Sequence, residues 1–432
     1  MLFKNIAIID DNFEIKENMY VEVKGSFIEY IGETAPLTEN GSDSYDGAGK
    51  LLMPGFYNAH SHVPMSLLRG YGENMQLSDW LNKRIFPFED KLTGDDIYNG
   101  TMLGMAEMIR FGIISTTDMY YHGDEMAKAV IESGAKMNLS IGTVCFNDSS
   151  FRELSQYSET KRLNEQFKNN YENRLIMDLS IHGEYTSTPK VVEGLADYAR
   201  ESGMRVQVHV SESVEEHEAC KERRDGKTPT QYLNELGLFD SPATAAHCVN
   251  LEGEDFDILA EKSVTVANCV KSNLKLSSGF CDVPMLMRKG VNIAIGTDSV
   301  ASNNNLNFLE EIKFFALVHK GHSFDPTVIT PKEAVACATI NGAKSQGRND
   351  CGSIKVGNRA DLIVMDISSP YMKPTHNLLN NLVYSGVGTD VCLTMSDGKV
   401  LYKDGEYKTI DIEKVVYNCE KIKNRILSEL KG

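Results

Sequence analysis

The sequence has no cluster of positive charge and no long apolar stretch. Its 44 lysines and arginines stand against 61 acidic residues, a formal net charge of −17, without any basic block. Binding to a nucleic-acid backbone needs the opposite sign. No segment approaches the roughly 18 apolar residues that a membrane-spanning helix requires. We therefore expect neither nucleic acid nor a membrane as a partner.

The cysteines show no pairing pattern. All nine are scattered, and none forms a C-x-x-C motif, which argues against a disulfide framework and against a cysteine zinc site. The N-terminal sequence MLFKNIAIIDDN lacks the basic region and apolar core of a secretory signal. These features predict buried thiols in a cytoplasmic protein.

Short β-like runs occur near both ends of the chain. NIAIID, YVEVKG and FIEYIGE lie in residues 1–50, and RADLIVMD and VCLTMSDGKVLYKDGEY lie in 350–410. We expect these two segments to pair as a small β-sandwich. Residues 411–432 predict a C-terminal amphipathic helix that packs on the rest of the chain or on a partner subunit. Its apolar stripe comprises Val415, Val416, Cys419, Ile422, Ile426 and Leu430.

Residues 51–349 alternate between apolar β runs and helical stretches. The eight β runs are LLMPGFYNA, GIISTTDM, NLSIGTVCF, IMDLSIH, MRVQVHVS, ATAAHC, SVTVANC and VNIAIGTD. This alternation predicts an α/β fold with a parallel sheet. A doubly wound open sheet shows the same pattern, but the count of eight and the residues at the strand ends favour a (β/α)8 TIM barrel.

The pair His60 and His62 comes at the end of the first β run. Residues i and i+2 of an extended segment point to the same side, so both imidazoles could reach one metal ion. An isolated H-x-H tripeptide is weak evidence, because two half-exposed loop histidines would look the same. The site therefore depends on what ends the other strands.

Further polar residues stand where other predicted strands end: His182, His209, His247 and Asp298. That face carries the active site in TIM barrels. Imidazoles combined with a carboxylate are typical of a catalytic zinc or iron site. His182, rather than a lysine that could bridge two metals, ends the fourth strand. We therefore expect a mononuclear centre.

Glu212 follows His209 by three residues and should lie in the loop above the metal. A carboxylate there could move a proton between water and substrate. The nearby Glu215, Glu216 and Glu218 are interpreted as solvated surface charges.

These motifs together resemble the amidohydrolase superfamily, specifically the branch of S-adenosylhomocysteine/5'-methylthioadenosine deaminases and related triazine chlorohydrolases. The resemblance runs from the N-terminal strands to about Tyr407. Its carrying segments are PGFYNAHSHVPMSLLRGYGENMQLSDWL, DMYY, HVSES, AHCVNL, KSNLKLSSG and GTDSVASNNNLNFLEE.

The resemblance implies roles for individual residues. His60, His62, His209 and Asp298 would bind the metal, Glu212 would shuttle protons, and His247 would orient the attacking water. His182 would contact the heterocycle of the substrate, and Glu89 would bind ribose hydroxyls. Trp80, the only tryptophan, matches an aromatic wall position, although a packed core residue is an equally good interpretation.

The implied function is metal-dependent hydrolytic deamination of an adenosine-type nucleoside to the inosine analogue and ammonia. S-adenosylhomocysteine, 5'-methylthioadenosine and adenosine are the candidate substrates. Alternatives are a chlorohydrolase or deaminase of a triazine, guanine or another free heterocycle, and an inactive barrel that serves as a binding module. One divalent ion, Zn²⁺ or else Fe²⁺, and a homodimer or homotetramer are expected.

Four features depart from the family pattern. Asn268 and Val270 replace residues of a His-Cys-Pro motif, and Gly183-Glu184 replace a small residue and proline. Ser299 follows the metal aspartate where glycine is common, and His122 could line the pocket or cap a turn. None is a predicted ligand, so the departures put the substrate in doubt rather than the reaction.

Overall fold

A computed structural model describes residues 1–36 and 43–431. The predicted accessory segment 1–50 and the predicted helix 411–432 therefore include positions outside the described residues, namely 37–42 and Gly432.

The strands are β1 Leu2–Ile9, β2 Ile15–Lys24, β3 Phe27–Gly32, β4 Ser44–Asp46, β5 Lys50–Pro54, β6 Phe56–Ser61, β7 Ile113–Tyr120, β8 Lys136–Ile141, β9 Leu175–Met177, β10 Leu179–Ile181, β11 Val206–Val210, β12 Ala243–His247, β13 Thr265–Asn268, β14 Ile293–Ile295, β15 Leu362–Asp366, β16 Val391–Ser396, β17 Lys399–Lys403 and β18 Glu406–Tyr407.

The helices are α1 Leu77–Trp80, α2 Phe86–Glu89, α3 Gly94–Arg110, α4 Gly123–Ser133, α5 Ser155–Phe167, α6 Pro189–Ser202, α7 Val214–Arg223, α8 Pro229–Glu235, α9 Asp255–Glu261, α10 Val270–Lys275, α11 Val283–Arg288, α12 Val300–Asn303, α13 Phe308–Ser323, α14 Pro331–Ala338, α15 Ile340–Ser345, α16 Leu378–Tyr384 and α17 Ile412–Glu429.

Strands β6 to β14 form a closed parallel barrel. β6 to β9 pair in order, and β10 to β14 pair in order. β9 and β10 flank Asp178 and together occupy the fourth of eight barrel positions. Parallel bridges from Ser61 to Asp298 and from Thr143 to Ile181 join the two groups. The predicted TIM barrel is confirmed, and because the first and last strands meet, an open sheet is excluded.

The first predicted β run is divided at Gly55 into two strands that belong to different sheets. Residues before it form β5 in the terminal sheet, and residues after it form β6 in the barrel. A Cβ atom on Gly55 would lie 2.8 Å from the Ile114 side chain. Glycine therefore lets the chain turn closely against β7 as it enters the barrel.

The terminal segments pair with each other, as predicted. Nine strands form one sheet in the order β18-β17-β16-β15-β5-β1-β2-β3, with β4 beside β1. Antiparallel pairing of β5 with β15 places Leu52 opposite Val364 and joins the two halves. Phe3, Ile6 and Leu393 belong to a separate core on this sheet. The domain boundaries at residues 50, 350 and 410 stay a prediction.

Helix α17 packs on the barrel helix α3. Asn418 Nδ2 donates to Asn99 Oδ1 over 2.9 Å, and most of the predicted apolar stripe is buried. The placement of Val416 in that stripe is wrong, because its side chain is 45% exposed. It directly follows the buried Val415, and consecutive helical residues point about 100° apart.

Across residues 1–36 and 43–431, every helix is too short or too polar to cross a membrane. All nine cysteines are free thiols, and eight of them are buried. The expected cytoplasmic location and homo-oligomer stay predictions.

A buried ionic network joins the barrel to the terminal sheet. Lys136 Nζ, in β8, donates to Asp361 over 2.5 Å and to Asp397 over 2.8 Å, and all three side chains are fully buried. Arg359 and Arg174 also contact Asp397, at 2.9 and 3.1 Å. Burial alone would raise the pKa of Asp361, but Lys136 outweighs burial and holds this pKa well below its usual value. The resulting stabilisation is present above about pH 4 and is lost as the pH falls through the lower folded-state pKa.

Replacing Lys136 by methionine should leave two buried carboxylates without their shared cation. We expect the free energy of unfolding to fall by about 3–5 kcal/mol, the effect of removing one partner from a buried ion pair. Urea unfolding followed by circular dichroism measures the change. Lys408→Met is the matched control, since Lys408 pairs with Glu406 at the exposed surface and should contribute less than about 1 kcal/mol. Equal losses in the two variants would contradict the prediction.

Candidate active site

Four predicted metal ligands converge at the carboxyl ends of three barrel strands. His60 lies in β6, His62 follows it, His209 lies in β11, and Asp298 follows β14. The Nε2 atoms of His62 and His209 are 3.2 Å apart. Asp298 Oδ1 lies 3.4 Å from His62 Nε2 and 3.8 Å from His60 Nε2. Three imidazole nitrogens and one carboxylate oxygen thus face a common point.

Backbone carbonyls fix the orientation of two of these rings. His62 Nδ1 donates to the carbonyl of Met119 over 2.7 Å, and His209 Nδ1 donates to the carbonyl of His182. A carbonyl can only accept, so Nδ1 carries the proton in each ring. When neutral, each ring therefore presents an unprotonated Nε2 to the cluster, which is the form that binds a metal.

The cluster fits a metal ion chemically. Within the described residues, the buried His60 Nε2 has no hydrogen-bond partner, and the Nε2 atoms of His62 and His209 are close enough for one cation to bind both. Burial, reinforced by neighbouring imidazoles, lowers the pKa of His60 and His209 well below its usual value. Burial would raise the pKa of Asp298, but the neighbouring histidines outweigh it and lower that pKa to about 2. Neutral imidazoles and an ionised carboxylate suit a divalent cation.

Glu212 and His247 lie directly beside this cluster. His247 Nε2 is 3.9 Å from Glu212 Oε2, and His247 Nδ1 donates to Asn273 Oδ1 over 2.8 Å. Burial raises the pKa of Glu212. Burial would lower the pKa of His247, but the charges of Glu212 and Asp298 outweigh it and raise that pKa. A proton acceptor and an oriented imidazole thus face the same space as the cluster.

Two serines hold the carboxylate of Asp298. Ser272 and Ser302 donate to Asp298 Oδ2 over 2.5 and 2.7 Å, which leaves Oδ1 toward the histidines. The sequence interpretation missed both residues. The spacing of four between Asp298 and Ser302 was the available signal, but serine is too common in loops for this spacing to be diagnostic.

Three strand ends at the site have left-handed backbone conformations. The φ angles are +49° at Ser211, +70° at His247 and +56° at Asp298. Such angles cost roughly 1–2 kcal/mol per non-glycine residue and occur preferentially at functional sites. Gly296 lets β14 approach β6 closely, because a Cβ atom there would lie 3.1 Å from His60 Cβ. The backbone at these strand ends therefore adopts unfavourable or closely packed conformations that place the residues of the site.

The interpretation of Glu216 as a solvated surface charge is wrong. Its side chain is buried and accepts hydrogen bonds from the backbone amides of Ser211 and Glu212 over 3.1 and 2.7 Å. Burial, together with the charge of Glu212, raises the pKa of Glu216 to about 7. Glu215 and Glu218 are exposed as predicted. Glu216 thus fixes the loop that carries Glu212.

An open pocket lies over the cluster. Trp80, Glu89 and His182 line it together with Glu212 and His247. Trp80 is also 94% buried in the main core, so it packs as a core residue, and its role as a substrate wall stays a prediction. His182 Nδ1 lies 3.2 Å from Thr186 Oγ1. The structure therefore brings all predicted substrate contacts to one cavity.

Glu89 is held by two tyrosines that follow one another in the DMYY segment. Tyr120 and Tyr121 donate to its two carboxylate oxygens over 2.5 and 3.4 Å. Burial raises the pKa of Glu89, although the bond from Tyr120 opposes this shift. The tyrosines were not predicted as site residues.

The departures from the family pattern occupy different places around the barrel. Ser299 lines the pocket and accepts a hydrogen bond from the Ser302 amide at the start of α12. Asn268 ends β13 and is buried, as is Glu184 in the turn after β10. His122 is exposed at the start of α4 with φ +58°, so its predicted alternative as a turn residue is the one that holds.

The profile of the Amidohydrolase family matches residues 51–401. The chain belongs to this family. This amidohydrolase is 39% identical over 424 residues to a 5-methylthioadenosine/S-adenosylhomocysteine deaminase from Thermoanaerobacter pseudethanolicus, with 98% of each chain covered. It is also 38% identical over 421 residues to a 5'-deoxyadenosine deaminase from Methanocaldococcus jannaschii, which covers 96% of this chain and 99% of the relative.

Solved structures show the same fold. A zinc-bound adenosine deaminase from Xanthomonas campestris aligns with a TM-score of 0.92 and 28% identity, covering 99% of this amidohydrolase and 98% of that chain. A zinc complex of an atrazine chlorohydrolase from Arthrobacter aurescens aligns with a TM-score of 0.89 over 98% and 99% of the two chains. Its 20% identity supports the shared fold alone.

Replacing a cluster residue should remove bound metal without unfolding the chain. We expect about one divalent ion per wild-type chain, and at least a roughly tenfold loss of metal affinity in His209→Ala and Asp298→Ala, since even loss of a supporting contact costs about 10–100-fold. Mass spectrometry of the metal content after dialysis measures this, with circular dichroism as the folding check. His182→Ala is the control, because it keeps the backbone carbonyl that orients His209. Full metal retention in Asp298→Ala would rule that residue out as a ligand.

Proposed function

We propose that this amidohydrolase hydrolytically deaminates an adenosine-type nucleoside to the inosine analogue and ammonia. The candidate substrates are S-adenosylhomocysteine, 5'-methylthioadenosine and adenosine. The observation that carries the proposal is that one pocket contains both the histidine–aspartate cluster and Glu89. A carboxylate in the same pocket as a water-activating site suits a ribosyl substrate, because a triazine or a free base has no ribose diol for it to bind.

The proposed metal ligands are His60, His62, His209 and Asp298, and one Zn²⁺ ion is the best match to this donor set, with Fe²⁺ as the alternative. When bound, the ion would supply the charge that lowers the pKa of water toward neutrality. The zinc in the related adenosine deaminase supports this assignment. The convergence of all four residues argues against a binding module without catalysis.

Glu212 is the proposed proton carrier. It would accept a proton from the attacking water and deliver it to the ring nitrogen beside the carbon that bears the amino group. A second transfer through Glu212 would convert the amino group into departing ammonia. The water supplies the oxygen of the product, and its two protons leave on the ring nitrogen and the ammonia.

His247 and Glu89 are proposed to orient the reactants. His247, fixed by Asn273 at 2.8 Å, would hold the attacking water toward the ring carbon. Glu89 would accept hydrogen bonds from ribose hydroxyls while Tyr120 and Tyr121 keep its carboxylate in place. His182 would contact the heterocycle, and Trp80 would form the wall beside it. Fixed positions of this kind contribute to catalysis by proximity.

Ammonia release by the metal-loaded protein tests the proposal. S-adenosylhomocysteine, 5'-methylthioadenosine and adenosine should yield ammonia with the spectral change from adenine to hypoxanthine. Guanine and an aminotriazine should react far more slowly, because they lack the ribose hydroxyls that Glu89 would bind. A chloro-triazine that releases chloride would instead favour the chlorohydrolase alternative. Activity on free heterocycles without activity on any nucleoside would refute the proposal.

Glu212→Gln separates proton transfer from metal binding. The amide keeps the size of the side chain but cannot accept a proton. We expect turnover to fall by roughly 10²–10⁴-fold, the range for loss of a general acid–base group, while metal content stays at the wild-type level. Coupled assay of ammonia and elemental analysis of the same preparation provide the two measurements. Near-normal turnover would show that another group carries the proton.

A further inference from the structure

A second, outer chamber adjoins the active-site pocket. The two cavities share a wall that includes Phe86, Tyr121, His182 and Tyr185. A ligand whose heterocycle contacts His182 can therefore extend past Tyr185 into the outer chamber. In a nucleoside, the group that extends away from the base and the ribose diol is the substituent at the 5' position.

One face of helix α7 forms a wall of this chamber. Glu216, Ala219 and Arg223 line it, and their spacing of three and four places them on one side of the helix. Glu216 lies at the catalytic-loop end, where it binds the amides of Ser211 and Glu212. Arg223 lies about 10 Å farther along the axis, at 1.5 Å per residue. The chamber thus has a cationic group at its outer end.

A fully buried carboxylate holds this arginine in place. Glu184, one of the departures from the family pattern, accepts from Arg223 Nη2 over 2.5 Å and from Arg224 Nε over 2.7 Å. Two cations share a single anion, which leaves one positive charge in excess. A guanidinium has five N–H donors, and the side chain of Arg223 is 42% exposed. It can therefore bind a second carboxylate from the chamber side.

We propose that the outer chamber binds the 5' substituent of the nucleoside and that Arg223, positioned by Glu184, selects a substituent that ends in a carboxylate. Of the candidate substrates, S-adenosylhomocysteine carries such a group and 5'-methylthioadenosine does not. This inference rests on the proposed deaminase function and names the preferred substrate class of that same site.

The charges around the chamber make Arg223 decisive for this selection. Glu215 and Glu216 also line the cavity, so without Arg223 an anionic substituent would face a negatively charged wall. A substituent that ends in a carboxylate is therefore favourable only where it reaches Arg223.

The test compares kcat/KM for S-adenosylhomocysteine and 5'-methylthioadenosine in metal-loaded wild type and Arg223→Gln. We expect the ratio of the two values to fall roughly 10- to 100-fold in the variant, through loss of a charge-assisted hydrogen bond. Arg223→Lys should restore part of the ratio, because it keeps the charge but loses the planar donor arrangement. A merely structural role would lower both values together and leave the ratio unchanged.

Arg224→Gln is the matched control. Arg224 also binds Glu184, but its guanidinium lies 4.3 Å above the Tyr232 ring, outside the described lining of the chamber. The substrate ratio should stay within about twofold of wild type, whereas a large fall would show that the ion pair with Glu184, rather than ligand contact, sets the preference.

Calorimetric titration with S-adenosylhomocysteine gives a readout that does not depend on turnover. In the Glu212→Gln background, adding Arg223→Gln should weaken binding by a similar roughly 10- to 100-fold. Equal affinity, or an unchanged substrate ratio with active deamination, would overturn the role of Arg223 and leave the proposed function intact. Absence of nucleoside deamination in wild type would instead overturn the proposed function, and the titration would still decide whether Arg223 binds the ligand.

Discussion

The carbonyl of His60 accepts hydrogen bonds from the amides of Thr297 and Asp298, over 3.1 and 3.0 Å, and these bonds join the last barrel strand to the first. His60 thus closes the barrel with its backbone carbonyl and contributes its side chain to the cluster. Asp298 reaches His60 and His62 only because the strands meet at this place. Gly296 allows the approach, since a Cβ atom there would lie only 3.1 Å from His60 Cβ. The same backbone contacts consequently close the barrel and bring the cluster together, so disruption of one also disrupts the other.

The two ends of the barrel differ in how completely their buried polar groups are paired. At the amino-terminal end, Lys136 is fully paired with Asp361 and Asp397, as buried ions must be if they are to be tolerated. At the carboxyl end, His60 keeps an unpartnered nitrogen among the described groups and non-glycine residues adopt left-handed conformations. An unpartnered nitrogen and strained backbone therefore lie together at a place where a ligand can offset their cost. The paired charges at the amino-terminal end therefore stabilise the barrel that carries the strained cluster at its carboxyl end.

The eight barrel strands and the convergence of His60 and His62 could be predicted from the sequence, because strand periodicity and strand ends are local properties. The burial of Glu216 could not, since an acidic residue at the start of a helix has the same local sequence whether it faces solvent or a loop. Ser272 holds the carboxylate of Asp298 through a contact between different strand ends, which no local pattern records. The sequence pattern predicts LLMPGFYNA as one β run, and only the pairing partners reveal that Gly55 divides it between two sheets. The missed features all depend on tertiary contacts.

The pairing of β5 with β15 has a consequence for synthesis on the ribosome. The N-terminal strands emerge early, but the strand that completes their sheet is translated only after the whole barrel. Until then, the edge of β5 exposes unpaired backbone groups, and Lys136 lacks both of its carboxylate partners. For most of its elongation, the nascent chain thus carries a strand edge without a pairing strand and a Lys136 side chain without its carboxylate partners. Such an edge can pair with other chains and start aggregation. The late strands therefore complete the fold and also prevent this aggregation, because they cover the edge.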